Sequence, residues 1–152
     1  MTRTIEEIRG EFIEKIGLMA QADGLPRIAG RMLGLFIWDG EAVAFGDLAN
    51  QLQVSRGSIS TATRILEDRR LIKRIAKAGQ RQDYFQLAEN PYAQMLEHYV
   101  LGLERVQIEI AQTLGEIPTN EADIKGRVEA YGAFYRTMSG ALSKLADDLK
   151  TG

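Results

Sequence analysis

The chain contains no cysteine, so it forms no disulfide, offers no thiol nucleophile and cannot build a zinc finger. Its single histidine, His98, has no cysteine or second histidine to complete a metal set or a nucleophile–base pair. No apolar run approaches the roughly 20 residues that a membrane span needs. The opening MTRTIEEIRGEF has acids and no apolar centre, and is expected not to be a secretory signal. A cytoplasmic setting without a membrane partner follows as the expectation. No glycine-rich phosphate loop leads into a helix, since Gly79-Gln80-Arg81 reads as a hairpin tip. Glu121, Asp123 and Glu129 have the spacing of a solvated helix face, and Asp147-Asp148 that of a charged tail. The chain is therefore expected not to be an enzyme and to carry no metal or cofactor. Proline occurs only at 26, 91 and 118, each time at a break between helical patterns.

What remains is ordinary for a globular protein: 152 residues, 45% hydrophobic and 26% charged. That length covers one compact domain, or a small domain with long helices attached. The most informative stretch is 43–87. A short helix is predicted from Gly46 to Leu52, with Phe45, Leu48, Ala49 and Leu52 as its apolar set. Gln53 and Val54 form a turn, and Ser55 suits the N-cap of a second helix over 55–69. The 3.6-residue period turns Ile59, Ala62, Thr63 and Leu66 inward, with Ile65 at the margin. It turns Gly57, Ser60, Thr61 and Arg64 outward, with Arg56 and Ser58 at the amino end.

That outward face is small, polar and cationic. Small residues let a helix approach a groove floor, hydroxyls can meet phosphates or base edges, and arginine can grip guanine through two parallel bonds. Alone, such a face would read as plain solvated surface. Its place after a matching helix and turn makes it a recognition helix, expected to use Arg56, Gly57, Ser58, Ser60, Thr61 and Arg64 on DNA. Beyond it, strands are predicted at 71–77 and 81–87, joined by Ala78-Gly79-Gln80. Lys77, Gln80 and Arg81 near that tip would meet the backbone or minor groove. Tyr84 and Phe85 lie on opposite strand faces, so at least one should pack inward.

Charge is concentrated in the same place. Residues 55–82 hold eight Lys/Arg against two Asp/Glu, a local net of +6. The whole chain is −2, so everything else carries −8. An acidic protein with one basic segment has a localised footprint for a polyanion.

The flanks are helical. Thr4 and Glu7 form a capping-box pattern, and Ile5, Ile8, Phe12, Ile16 and Met19 make one stripe as far as Gly24. A second helix begins with Pro26 and runs to Trp38, with Ile28, Met32, Leu35 and Phe36 inward and Gly30 and Gly34 permitting close packing. Asn90-Pro91 starts a third, with Tyr92, Leu96, Tyr99, Leu103, Val106 and Ile110 as its stripe. The last runs from Glu121 to Lys150. Its Ile124, Val128, Tyr131, Tyr135, Met138, Leu142, Leu145 and Leu149 alternate 4 and 3 apart, a seven-residue seam that Phe134 and Ala141 widen. A helix of ~45 Å at 1.5 Å per residue is too long for a small winged domain to cover, so these eight residues are expected to dimerise. The competing reading is a hairpin between the last two helices without a dimer.

Gly24-Leu-Pro-Arg-Ile-Ala-Gly-Arg-Met-Leu-Gly34 resembles the GLPR-x-x-GR-x-x-G segment of GbsR-type regulators of the MarR superfamily. Val54-Ser-Arg-Gly-Ser-Ile-Ser-Thr-Ala-Thr-Arg64 resembles that group's VSKGSVS-x-x-x-R helix, with Arg56 in place of lysine. Gly79-Gln-Arg81 to Tyr84 resembles its PG-x-R-x-x-YY wing, with Ala78 for proline and Phe85 for the second tyrosine. The likeness spans about residues 24 to 92. It implies a homodimeric DNA-binding transcription regulator, usually a repressor, whose Arg56, Ser58, Ser60, Thr61 and Arg64 face DNA with Arg81 on the wing. It also allows a small-molecule effector between winged domain and dimerisation helices, where Trp38, Tyr92, His98 and Tyr99 would stand, although aromatics at helical spacing are more often plain core.

The expected architecture is mainly α with a small β-hairpin. Residues 1–24 form an N-terminal helix that is part of the dimerisation region, 25–89 a winged helix-turn-helix, and 90–152 a two-helix dimerisation region. The function expected is a regulator, a repressor in kind, reading a palindromic operator in double-stranded DNA with helix 55–69 and wing 72–87. The alternative is a winged helix serving protein contacts, as in a chromosome-organising accessory factor.

Overall fold

Thr4 Oγ1 accepts from the Glu7 amide at 3.1 Å while Glu7 accepts from the Thr4 amide at 3.0 Å, so the capping box forms and starts α1 (Ile5–Ala22). Gly24, at φ +84, ends it; the Leu25 amide donates back to the Ala20 carbonyl at 3.0 Å. The structure, a computed structural model, describes residues 2–151 and divides into two compact units between Pro91 and Tyr92. Among the described residues no helix is long and apolar enough to cross a membrane.

In the first unit α1 is followed by α2 (Arg27–Asp39), β1 (Val43–Ala44), α3 (Phe45–Leu52), α4 (Arg56–Asp68), β2 (Ile72–Ile75) and β3 (Tyr84–Leu87). The sequence reading places Pro26 as the first helical residue of α2; it is instead the N-cap, and the helix begins at Arg27. Seven of the thirteen α2 residues are buried, including Met32, Leu35 and Phe36, while Ile28 is only half-buried. Such all-round burial makes α2 the centre of the unit rather than an amphipathic surface helix.

Close packing of α1 on α2 depends on glycine. A Cβ on Gly30 would stand 2.5 Å from Ala20 Cβ and 2.9 Å from Gly17 Cα; one on Gly34 would stand 3.1 Å from Ile16 Cβ. That approach selects small residues, so α1 buries Ile13, Gly17 and Ala20. Ile5, Ile8 and Met19 of the expected stripe are left exposed, a correction of the inward face. Trp38 packs on Phe12, ring centroids 5.3 Å apart. Two arginines tie the frame to α3. Arg9 holds Asp39 through bonds of 2.9 and 2.7 Å and reaches Gln51, and Arg31 holds Glu14 at 2.8 Å and the Leu52 carbonyl at 3.0 Å.

The β element is larger than a hairpin. Strand order is β1-β3-β2, all antiparallel, with Val43 opposite Phe85 and Ile72 opposite Leu87. The β2 and β3 strands are four residues each, shorter than the predicted 71–77 and 81–87, so their connection is 76–83 instead of three residues. The Val43–Ala44 strand carries no period of its own; pairing with β3 creates it. Phe85 is fully buried and Tyr84 half-buried.

The second unit consists of α5 (Pro91–Glu116) and α6 (Ala122–Thr151). Asn90 precedes α5 at φ +53, in the left-handed region rather than the extended backbone of an ordinary cap. The two helices form a hairpin: Lys150 pairs with Glu97, and a Cβ on Gly132 would come 3.1 Å from Ile110. The buried line of α6 is Gly132, Ser139 and Ala146, seven residues apart. Of the large-residue seam, Ile124, Tyr131, Leu145 and Leu149 are exposed, while Val128, Tyr135, Met138 and Leu142 are half-buried.

Candidate nucleic-acid interface

Gln53 closes α3 in the left-handed conformation, φ 55 and ψ 48, and turns the chain into α4. Ser55 Oγ accepts from the Ser58 amide at 3.1 Å, the cap expected from sequence. Ile59, Ala62, Thr63 and Leu66 face the core, and Ile65 is half-buried at the margin. Arg56, Gly57, Ser60, Thr61 and Arg64 are exposed, and Ser58 is half-buried.

The hydroxyls are not equivalent. Thr61 donates to the Gly57 carbonyl at 3.1 Å, which leaves its lone pairs outward as an acceptor. Ser58 Oγ accepts from the Ser55 hydroxyl at 3.0 Å, so its own hydrogen is available to a partner. Against base edges, Thr61 thus suits an exocyclic amine, and Ser58 suits a carbonyl or phosphate oxygen.

After α4 the chain leaves through Arg69 and the left-handed Arg70, φ 59. It then enters β2, whose Arg74 joins three parts of the surface. Its guanidinium holds Glu67 of α4 at 3.0 Å and Asp83 beside β3 at 3.1 Å, and lies 5.3 Å over the Phe85 ring. Hydrogen bonding to Glu67 raises the Arg74 pKa above its ordinary value, against the opposing effect of burial. Part of the basic charge counted from sequence is therefore met inside the wing. At the tip, Gly79 takes φ +78 and the Gln80 amide donates to the Lys77 carbonyl at 3.0 Å. Lys77 Nζ folds back to 4.3 Å from the Tyr84 ring centroid, and Lys77, Gln80 and Arg81 are all exposed.

Two helices at a tight turn, followed by a β-ribbon that returns beside them, decide the fold. Residues 43–87 form a winged helix-turn-helix.

Sequence reading missed several contributors to this winged helix. Phe45 was assigned to the apolar set, yet its ring lies under Arg56, with the guanidinium carbon 4.8 Å from the centroid. The Gly46 amide donates to Gln82 Oε1 at 3.1 Å and the Phe45 amide to the Asp83 carbonyl at 2.9 Å, so the wing's return is fastened to the start of α3. No local pattern signals these contacts, because each joins residues more than ten positions apart. The one available sign was Gly46, a helix glycine where a Cβ would come 3.2 Å from Gln82 Oε1. Among the described residues no group of three or more His, Asp or Glu is placed to hold a metal ion.

No family model matches the chain. Over 84 residues it is 42% identical to the HTH-type transcriptional regulator MmpR5 of Mycobacterium tuberculosis, covering 55% of this chain and 51% of that protein. Over 88 residues it is 25% identical to the putative HTH-type transcriptional regulator YvaV of Bacillus subtilis, covering 58% of this chain and 50% of that protein. The chain therefore spans about half the length of the curated relatives it matches. Among solved structures it resembles the crystal structure of a transcriptional regulator with a TM-score of 0.77 and 28% identity, covering 95% of this chain and 99% of that one. That likeness extends the agreement in fold beyond the winged helix to nearly the whole chain.

Proposed function

We propose that this chain is a homodimeric transcriptional regulator, a repressor of GbsR type within the MarR superfamily, that reads a palindromic site in double-stranded DNA. The observation that carries the reading is the outward side of α4, where Gly57, Ser60, Thr61 and Arg64 are exposed together beside a wing tip bearing Lys77, Gln80 and Arg81. The near full-length likeness to a transcriptional regulator and the two similar HTH-type regulators support it. A winged helix used only for protein contacts would have no need of this small, hydroxylic and cationic face.

The dimer is supported by the apolar surface that the monomer leaves unburied. Ile5, Ile8 and Met19 on α1 and Ile124, Tyr131, Phe134, Leu145 and Leu149 on α6 are large and exposed. Two winged helices paired through these helices would present α4 to successive major grooves about one turn, ~34 Å, apart. A small-molecule effector would then act by changing that separation or angle, since mismatch to the groove spacing lowers affinity without altering the reading surface.

Fluorescence anisotropy on a pool of upstream genomic fragments, titrated at several salt concentrations, tests the reading. If each subunit neutralises three to five phosphates, log affinity against log salt falls with a slope of roughly −5 to −9, and a subset of fragments binds tightest. Affinity that is absent, or flat across sequence and salt, would return the winged helix to a role in protein contacts.

A further inference from the structure

Arg56 opens α4, where the outward face begins, yet its guanidinium does not extend along that face. It lies over the Phe45 ring, 4.8 Å from the centroid, on the side of the helix toward α3. The same spot receives the wing. A Cβ on Gly46 would stand 3.2 Å from Gln82 Oε1 and 3.6 Å from Arg56 Nη1, so a bare backbone lets both side chains close over the start of α3. Phe45 is in turn fixed from two directions, by its amide on the Asp83 carbonyl at 2.9 Å and by its ring 6.5 Å from that of the buried Phe85.

We propose that Phe45 is a positioning residue for Arg56, holding its guanidinium at the junction of α3, α4 and the wing so that it contacts the phosphate backbone, while Arg64 is left to read the bases. The inference rests on the DNA-binding reading and assigns different work to its two helix arginines. An arginine side chain has much rotameric freedom to lose on binding; a ring that already holds it removes part of that cost before DNA arrives. A cation over an aromatic face in an exposed site supplies an attraction of the right scale, and it needs the π-face, not merely apolar bulk. Because Gln82 and Asp83 grip the first two residues of α3, a displacement of the wing would also disturb the ring that holds Arg56. Wing and guanidinium are thereby coupled.

The test is a double-mutant cycle on Phe45 and Arg56 in the full chain, read by anisotropy on a tight-binding fragment and an unrelated one. Phe45→Leu keeps apolar volume and removes the π-face; it is expected to lower affinity about threefold, equally on both fragments. In an Arg56→Ala background the same change is expected to cost nothing, whereas with Arg56 present Phe45→Tyr, which keeps the π-face, is expected to retain the affinity. In the free protein, ring current should displace the Arg56 side-chain proton resonances, and Phe45→Leu should abolish that displacement without changing the melting curve's cooperativity. An equal loss in the presence and absence of Arg56 overturns the proposal, because the ring would then act through α3 packing alone. Undisplaced Arg56 resonances in the unmutated protein overturn it irrespective of DNA. Displaced resonances in a chain that binds no DNA would instead overturn the proposed function, and with it the role assigned to the contact.

Discussion

The effect of a single carbon atom differs sharply along this chain. Alanine is favoured over glycine inside a helix by about 1 kcal/mol, and at Gly126, where nothing lies within 4 Å of an added Cβ, that gain should appear undiminished. At Gly30 the same carbon would meet Ala20 and the Gly17 backbone inside 3 Å. Overpacking of this kind costs about 1–3 kcal/mol, so Gly30→Ala should unfold at lower denaturant and Gly126→Ala at higher. Equal shifts in one direction would mean that the α1–α2 contact is looser than described. At Arg64, truncation to alanine is expected to cost about 1–3 kcal/mol on the preferred DNA and to relax specificity there; competition binding on permuted sites measures both. A uniform loss on all sequences would make it a phosphate contact. The outward position of Arg64 was legible from the helical period. The different hydrogen-bonding states of Ser58 and Thr61 were not, because they depend on where each hydroxyl finds its local partner.

Elements were legible where local chemistry decides them. Ser55, the Thr4–Glu7 box and Gly24 set helix ends through side-chain or backbone options encoded within a few residues. The two-residue β1 and the length of the wing loop were not legible, since pairing with β3 decides both. One helix end departs from the usual chemistry. The Leu71 amide donates to the Leu66 carbonyl and the Arg70 amide to that of Glu67, both at 2.9 Å, a Schellman closure with arginine where glycine is customary. A left-handed residue with a Cβ costs about 1–2 kcal/mol, so Arg70→Gly should raise thermal stability, as differential scanning calorimetry would show. The junction of α1 and α2 should respond to acid. Burial pushes the Glu14 carboxyl up, but hydrogen bonds and charge from Arg31 and Arg27 outweigh it and leave the pKa below the ordinary value. A depressed carboxylate stabilises the fold above its unfolded pKa, and that contribution is lost as pH falls through the lower folded one. Below the ordinary carboxylate range, the stability of Glu14→Gln measured in urea should therefore fall less steeply with pH than that of the unmutated protein.

At the scale of the molecule, the strongest periodic signals in the sequence mark residues the monomer does not bury. The stripes on α1 and α6 are regular, but helix contacts within the chain run along the smaller Gly17, Ala20 and Gly132. Periodicity reports that a face will be covered; it does not identify which chain covers it. If a second copy does, Leu145→Glu should convert a dimer into a monomer in analytical ultracentrifugation and weaken DNA binding far more than it alters the melting of the first unit. A dimer that survives this change would place its contact elsewhere. The crossing of α1 over α2 also limits how this protein can vary. Gly17 and Gly30 meet beside Ala20 at a point where neither glycine has a side-chain carbon to give up. Only a loss at Ala20 could offset a larger residue at Gly30, and the Gly17 Cα would still stand 2.9 Å from the added carbon. Further accommodation would come from separating the helices, which would pull on Arg31, the residue that holds both Glu14 of α1 and the Leu52 carbonyl at the end of α3. If α4 reads DNA as proposed, its aim would depend on positions in α1 and α2 that are assigned no contact with DNA, and drift at those positions would show as altered operator preference as well as lowered stability.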